Sequence, residues 1–235
     1  MLRVREGGSG NDVLLLLHGL GGTGDIWGAI GPRWNGRWIA PDLPGHGGSD
    51  HLPSYTFEAM AAALIELTAG ALSVNVLGHS LGGAVGLALA AMSDRVRRLV
   101  GLGIKVVWAP EELERARALS ERPITWFDTE AEALQRHRRV AGLGDLVDDS
   151  VARHGVVKEG GRWRLALDPA AFAVGAPDLP ALLAGSRAEV ILARGEHDPM
   201  VTHAQLAALV PDPVTLPGLG HNAHLEDAAT VFALL

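Results

Sequence analysis

A serine at the centre of a glycine-rich turn is the first group in this sequence that suggests chemistry. Ser80 lies within Gly78-His79-Ser80-Leu81-Gly82, between an apolar run and a segment rich in alanine and leucine. A serine on such a strand-to-helix turn has a strained backbone, and the small residues two positions away give it room. Free N–H groups at the helix start favour negative charge that develops nearby. The turn therefore indicates a nucleophile, although the pentapeptide alone is also common in plain turns.

A serine hydroxyl needs a base, and the loop near the end of the chain offers one. His221 follows Pro217-Gly218-Leu219-Gly220, directly after the apolar run Val214–Leu216. His224 lies three residues later, so the two histidines also have a spacing compatible with metal binding. We favour the base at His221 and a core or supporting position for His224, since no carboxylate has a matching spacing. We predict no metal and no other cofactor.

A carboxylate that orients the base is expected on the loop after the run Val190–Ala193. Asp198 precedes Pro199, which disfavours helix at Asp198 and keeps it extended or in a turn. The alternative acid is Glu196, which is nearer the strand end and has a longer, less fixed side chain. Asp198 is also a possible cap for the helix predicted to begin near Thr202.

Attack on a carbonyl also requires N–H donors aimed at the developing oxyanion. One predicted donor is the backbone N–H of Leu81, directly after the serine. The second is the backbone N–H of Leu20, because glycines in His18-Gly19-Leu20-Gly21-Gly22 let the backbone approach a substrate closely. Leu20 and Leu81 are therefore the predicted oxyanion hole.

Apolar runs that alternate with helical segments must position these loops. Fully apolar runs indicate strands buried on both faces, and strand–helix alternation favours a parallel sheet with right-handed crossovers. The carboxyl ends of such strands share one edge, where the candidate residues can meet. The predicted strands are Val13–Leu17, Arg37–Ala40, Val74–Leu77, Val96–Leu102, Val190–Ala193 and Val214–Leu216.

The alternation lapses between about residues 105 and 186. This stretch predicts a compact cap inserted into one domain of residues 1–235, and the alternative is a surface excursion without a role. The predicted elements are helices over Glu111–Ser120, Thr129–Val140 and Asp145–His154, and a hairpin or extended segment over Gly160–Leu165.

Composition narrows the function classes. The 235 residues contain no cysteine, so thiolate nucleophiles, disulfides and cysteine zinc sites are excluded. A formal net charge of -7 and the lack of a basic run argue against nucleic-acid binding. No signal peptide or membrane-spanning run is present, so we expect a cytoplasmic protein that does not bind membranes.

Taken together, the motifs resemble those of the α/β-hydrolase superfamily. The resemblance covers nearly the whole chain except the cap region, and it implies an eight-stranded, mostly parallel sheet. It also implies that Ser80 is the nucleophile, His221 the base and Asp198 the acid. The matching motifs are His18-Gly19, Asp42-Leu43-Pro44-Gly45-His46-Gly47-Gly48-Ser49, Gly78-His79-Ser80-Leu81-Gly82-Gly83, Gly195-Glu196-His197-Asp198-Pro199 and Gly218-Leu219-Gly220-His221.

The resemblance implies hydrolysis of a small-molecule ester through an acyl-enzyme. Cleavage of a C–C, thioester or amide bond, a lyase step, or ligand binding without turnover are the alternatives. The predicted apolar walls of the site are Leu20, Trp27, Trp108 and Trp126, with Leu119 or Phe127 as replacements and His79 as a further substrate contact.

Overall fold

A seven-stranded sheet organises the fold, and a separate two-stranded hairpin lies outside it. The computed structural model describes residues 1–235. The sheet order is β1-β3-β2-β4-β5-β8-β9, with β1 antiparallel to β3 and every other neighbouring pair parallel. The strands are β1 (Val4–Gly7), β2 (Asp12–Leu17), β3 (Arg37–Pro41), β4 (Ser73–His79), β5 (Val96–Leu102), β6 (Val156–Glu159), β7 (Arg162–Leu165), β8 (Glu189–Gly195) and β9 (Val214–Leu216).

Both faces of this sheet are buried, as the continuous apolar runs predict. Along β2, Val13, Leu15 and Leu17 join one hydrophobic core, while Leu14 and Leu16 join a second core. Successive strand residues point to opposite faces, so each leucine in the run has an apolar layer to enter.

Helices form those two layers. Residues of α1, α2, α6 and α7 enter the first core, and residues of α4, α5, α8 and α9 enter the second. No helix is long and apolar enough to span a membrane. The α-helices are α1 (Phe57–Ala62), α2 (Leu81–Met92), α3 (Pro110–Ser120), α4 (Glu130–Val140), α5 (Asp149–Ala152), α6 (Leu179–Gly185), α7 (His203–Ala207), α8 (Ala223–Glu226) and α9 (Ala228–Phe232). Short 3₁₀ helices cover Gly24–Trp27, Gly31–Arg33, Ile65–Thr68, Arg153–Gly155 and Pro169–Val174.

The stretch between β5 and β8 contains two kinds of structure. Helix α3 buries none of its residues, whereas α4 buries Ala133, Leu134 and His137. The hairpin β6–β7 lies within this stretch and is antiparallel. Helix α6, at its end, packs on α2 through the first core.

The doubly wound, mostly parallel α/β architecture is confirmed, with three differences in detail. The sheet has seven strands rather than the eight that the resemblance implied. The short strand β1 was not predicted, because it has only four residues and two of them are charged. The helix predicted over Asp145–His154 is shorter, covering Asp149–Ala152 before a 3₁₀ turn.

Candidate active site

Ser80 occupies the turn between the end of β4 and the start of α2. Its backbone angles are φ 51° and ψ −115°, and it is the only non-glycine residue with positive φ. Its N–H donates to the carbonyl of Leu102 at 2.8 Å, which holds the strained turn against the neighbouring strand β5. A non-glycine residue in this region costs about 1–3 kcal/mol, and such strain is concentrated at functional sites.

Close backbone approaches explain why glycines flank the serine. A Cβ on Gly78 would lie 2.4 Å from the carbonyl oxygen of Gly82. A Cβ on Gly82 would lie 2.2 Å from the carbonyl oxygen of Leu17. Side chains are therefore excluded at both positions by neighbouring backbone, as the sequence predicted for this turn.

Asp198 and His221 meet at the carboxyl edge of the sheet. Oδ2 of Asp198 accepts a hydrogen bond from Nδ1 of His221 at 3.0 Å, and Oδ1 accepts one from the Met200 N–H at 2.8 Å. The carboxylate is fully buried, while the His221 side chain is 22% exposed. This contact fixes the imidazole tautomer and leaves Nε2 as the ring nitrogen available to a reacting group.

The contacts of this loop do not match the other two interpretations. Glu196 is exposed, and its Oε2 accepts a hydrogen bond from the Gly218 N–H at 2.8 Å rather than from His221. Helix α7 is capped by Thr202, whose hydroxyl accepts from the Gln205 N–H, so Asp198 is not the cap.

Arg194 holds the loop that carries Asp198, although it was not among the predicted site residues. This buried guanidinium donates through Nε to the Val201 carbonyl at 2.7 Å. Through Nη2 it donates to the carbonyls of Glu196 at 2.8 Å and of Asp198 at 3.2 Å. The signal available in the sequence was a charged residue directly after the apolar run Val190–Ala193.

His79 supports the backbone of the candidate base. Its Nε2 donates to the carbonyl oxygen of His221 at 3.0 Å, and its ring centroid lies 4.6 Å from that of His221. Burial is the main cause that lowers the pKa of His79 well below its ordinary value, with smaller contributions from His224 and His221. The neutral ring keeps a second positive charge away from His221.

Trp27 and His224 are buried behind His79, and neither lines the cavity that contains Ser80. The Trp27 ring lies 4.7 Å from that of His224, which in turn lies 4.4 Å from the His79 ring. Burial lowers the pKa of His224 to about 3, with a smaller contribution from His221. The expectation that Trp27 lines the substrate site is therefore corrected, because Trp27 is fully buried in the second core. Trp27 Nε1 and both His224 ring nitrogens have no hydrogen-bond partner.

A cavity of about 530 Å³ opens above Ser80. Ser80 and His221 both line it, together with Leu20, Leu81 and His79. Ser80 Oγ has no hydrogen bond to the His221 ring, a contact that in such sites often tightens only when substrate binds. A cavity of about 530 Å³ suits a small or medium molecule.

Helices between β5 and β8 supply the outer wall of this cavity. Trp108 lines it, as predicted, and so does Leu119, which was predicted as a replacement. Trp126 and Phe127 do not line it. Trp126 was expected there because it is a large aromatic residue in the predicted cap, but it precedes Phe127, whose backbone pairs with Trp163 of β7.

Two backbone N–H groups in the cavity have no acceptor within the protein. The N–H of Leu20 makes no hydrogen bond, and the N–H of Leu81 opens α2, where no intrahelical acceptor exists. Their position beside Ser80 is what an oxyanion site requires. His221 and His224 form no group of three residues able to hold a metal ion.

Comparison with known proteins gives relatives whose names describe different activities. The chain is 28% identical to the 2-succinyl-6-hydroxy-2,4-cyclohexadiene-1-carboxylate synthase of Klebsiella pneumoniae (strain 342), over 99% of this chain and 95% of the relative. It is 32% identical to lipase LipV of Mycobacterium tuberculosis, over 69% of this chain and 66% of the relative. The crystal structure of E-2-(acetamidomethylene)succinate hydrolase superposes with a TM-score of 0.82 at 26% identity, covering 99% of this chain and 92% of that one.

The family assignment follows from the match to a family profile. The profile of the alpha/beta hydrolase family matches residues 14–234, which contain all the candidate site residues and the whole sheet apart from β1 and the first two residues of β2. The chain belongs to the alpha/beta hydrolase family of enzymes.

Proposed function

We propose that the protein is a serine hydrolase that cleaves carboxylic esters of small to medium apolar substrates through an acyl-enzyme on Ser80. The observation that carries the proposal is the Asp198–His221 hydrogen bond of 3.0 Å beside a cavity that Ser80 and His221 share. A serine hydroxyl is a weak nucleophile by itself, and an oriented imidazole is the group that activates it.

In the proposed first step, His221 Nε2 takes the proton of Ser80 Oγ while the oxygen attacks the ester carbonyl. Asp198 stabilises the resulting imidazolium, and the N–H groups of Leu20 and Leu81 bind the oxyanion. The intermediate collapses, the alcohol leaves with the proton from His221, and an ester between Ser80 and the acyl group remains.

In the proposed second step, His221 takes a proton from water, which attacks the acyl-enzyme. Collapse of this intermediate returns the proton to Ser80 and releases the carboxylic acid. The balanced reaction is ester plus water to acid plus alcohol, and it needs no group outside the chain. We propose that residues 105–186 act as a cap that limits access to this site.

The same residues also suit cleavage of a C–C, thioester or amide bond, or a lyase step. The Klebsiella relative is called a synthase, which is the specific reason to retain this second candidate. The lipase relative favours ester hydrolysis. A non-catalytic binding protein is a weaker candidate, since the proposed serine, histidine and aspartate are all present.

Two measurements test the proposal. A fluorophosphonate is expected to add one covalent label to Ser80, located by peptide mass spectrometry, with Ser80→Ala as the unlabelled control. A panel of esters, thioesters, lactones and diketones is then expected to give the highest kcat/KM with esters. Labelling at another residue contradicts the nucleophile, and a diketone preference contradicts the ester assignment.

A further inference from the structure

The charged residues around the cavity are unequally balanced. Three cations, Lys105, Arg115 and Arg139, line it together with a single carboxylate, Glu112. The cavity wall is thus formally positive in a chain whose net charge is -7. An excess of positive charge at a concave site attracts anions.

Both oxygen atoms of the one carboxylate, Glu112, already have partners within the protein. Glu112 Oε1 pairs with Lys105 Nζ, and its Oε2 accepts a hydrogen bond from the Ala109 N–H at 2.9 Å. Lys105 Nζ also lies 4.9 Å from the centroid of the Trp108 ring. Lys105 and Glu112 therefore offset each other on the cavity wall, and the two arginines give the wall its excess of positive charge.

Arg115 and Arg139 come from different helices, α3 and α4, and both face the cavity. Both are exposed, and neither forms an ion pair or donates a hydrogen bond within the protein. Arg138, next to Arg139 in the chain, behaves differently, because it pairs with Asp149 at 2.7 Å outside the cavity. Free guanidinium groups present the planar donor pairs that carboxylate and phosphate oxygens accept.

Apolar side chains line the cavity as well, among them Leu81 and Ala84 in the first turn of α2, directly after Ser80. We infer that the substrate carries an anionic group, a carboxylate or a phosphate, away from the reacting carbonyl, and that Arg115 and Arg139 bind it. The inference rests on the proposed function for the carbonyl chemistry and adds the substrate class. The apolar lining beside Ser80 contacts the reacting part, and the two arginines of α3 and α4 bind the charged part.

Two matched substrate pairs test this inference. Monomethyl glutarate and methyl pentanoate differ by a carboxylate in place of a methyl group. S-butanoyl-4′-phosphopantetheine and S-butanoyl-pantetheine differ by a phosphate. The wild type is expected to show a higher kcat/KM for the charged member of one pair, and the preferred pair identifies carboxylate or phosphate as the source of the charge.

Variants assign the preference to the two arginines. R115Q/R139Q is expected to lower the charged-to-neutral ratio of kcat/KM about tenfold, since exposed ion pairs contribute about two- to fivefold each. R115K/R139K keeps the charge and is expected to retain part of the ratio. R136Q is the matched control, because Arg136 is an exposed arginine on the same helix α4 but outside this cavity.

The outcomes separate the inference from the proposed function. An equal preference for both members in both pairs, or a ratio unchanged in R115Q/R139Q, overturns the inference and leaves the hydrolase standing. If neither ester nor thioester is cleaved, the proposed function fails, and the inference is then tested by the binding of anions. Calorimetry then measures the binding of glutarate and of 4′-phosphopantetheine to the wild type and to R115Q/R139Q. Binding that is lost in the variant supports the inference. Equal binding to both proteins, or no binding to either, overturns the inference.

Discussion

The two sides of the cavity are built differently. The side formed by the loops after β4, β8 and β9 carries Ser80, Asp198 and His221, and each has a backbone or side-chain hydrogen bond that fixes it. The side formed by α3 and α4 carries exposed arginines and Trp108, and α3 buries no residue at all. The first side is held by the sheet, whereas on the second side only α4 reaches the core, through Ala133 and Leu134.

This difference suggests a division of labour. A reaction requires groups held to within a fraction of an ångström, which buried hydrogen-bonded loops on a sheet provide. Selection of a substrate requires charge and shape at the entrance, which exposed helices can vary without disturbing the core. Substitutions on the sheet side should therefore reduce kcat, and substitutions on the helical side should alter KM and selectivity.

The largest expected effect is that of Ser80→Ala. Loss of the proposed nucleophile should lower kcat for p-nitrophenyl butyrate by about 10⁴-fold or more, while the thermal midpoint does not fall. Ser120→Ala, on the exposed helix α3, is the matched control and should retain activity. Wild-type activity in Ser80→Ala would contradict the catalytic assignment of the sheet side.

The next largest effect is expected from Asp198→Asn. The amide keeps the size of the side chain but favours the wrong tautomer of His221, so kcat should fall by roughly 10³–10⁴-fold with KM little changed. Glu196→Gln, two residues earlier on the same loop, should leave kcat within about twofold, a limit set by the scatter of surface substitutions. A larger loss in Glu196→Gln than in Asp198→Asn would exchange their roles.

A smaller effect concerns stability in acid. Burial lowers the pKa values of His18 and His137 to about 4 and those of His46 and His224 to about 3. Below pH 6.5, the ordinary pKa of histidine, these side chains bind protons in the unfolded chain but stay unprotonated in the folded protein. Stability is therefore complete above pH 6.5 and is lost as the pH falls towards 4.

Urea unfolding followed by circular dichroism measures this loss. The free energy of unfolding should decrease by at least about 2 kcal/mol between pH 7 and pH 5, the amount expected from one such histidine. His203→Gln changes an exposed histidine and should leave the pH dependence unaltered. A free energy of unfolding that is constant over this range would show that the buried rings bind protons as readily in the folded protein as in the unfolded chain.

The smallest effect is expected on the helical side. Trp108→Ala removes part of the cavity wall and should raise KM for p-nitrophenyl butyrate by about three- to tenfold, with kcat changed less, since an aromatic contact contributes about 1 kcal/mol. Trp126→Ala, which changes a tryptophan outside the cavity, should leave KM unaltered. A loss confined to kcat in Trp108→Ala would remove the distinction between the two sides.

The sheet side was largely predictable from sequence because its signals are local. Gly78 and Gly82 mark the turn around Ser80, Pro199 marks the loop of Asp198, and glycines precede His221. Each signal constrains a few adjacent backbone angles, so it can be recognised without knowledge of the tertiary structure. The meeting of Asp198 and His221 then follows from parallel strands that end at one edge.

The helical side was less predictable because its geometry depends on distant contacts. Trp27 and Trp126 are large aromatic residues of the kind that line substrate sites, yet Trp27 is in the core and Trp126 is outside the cavity. Arg115 and Arg139 look like ordinary charges on helices until the structure places them on one cavity. Arg194 was missed for the same reason, since its hydrogen-bond acceptors are carbonyls of a folded loop.

The positive φ of Ser80 has a consequence for protein engineering. Glycine adopts a φ of 51° without the penalty of a side chain, so Ser80→Gly should fold into a more heat-resistant protein that has lost its reactivity. Selection for thermostability alone would thus favour the loss of this serine. A serine kept at this position would indicate selection for catalysis rather than for thermostability.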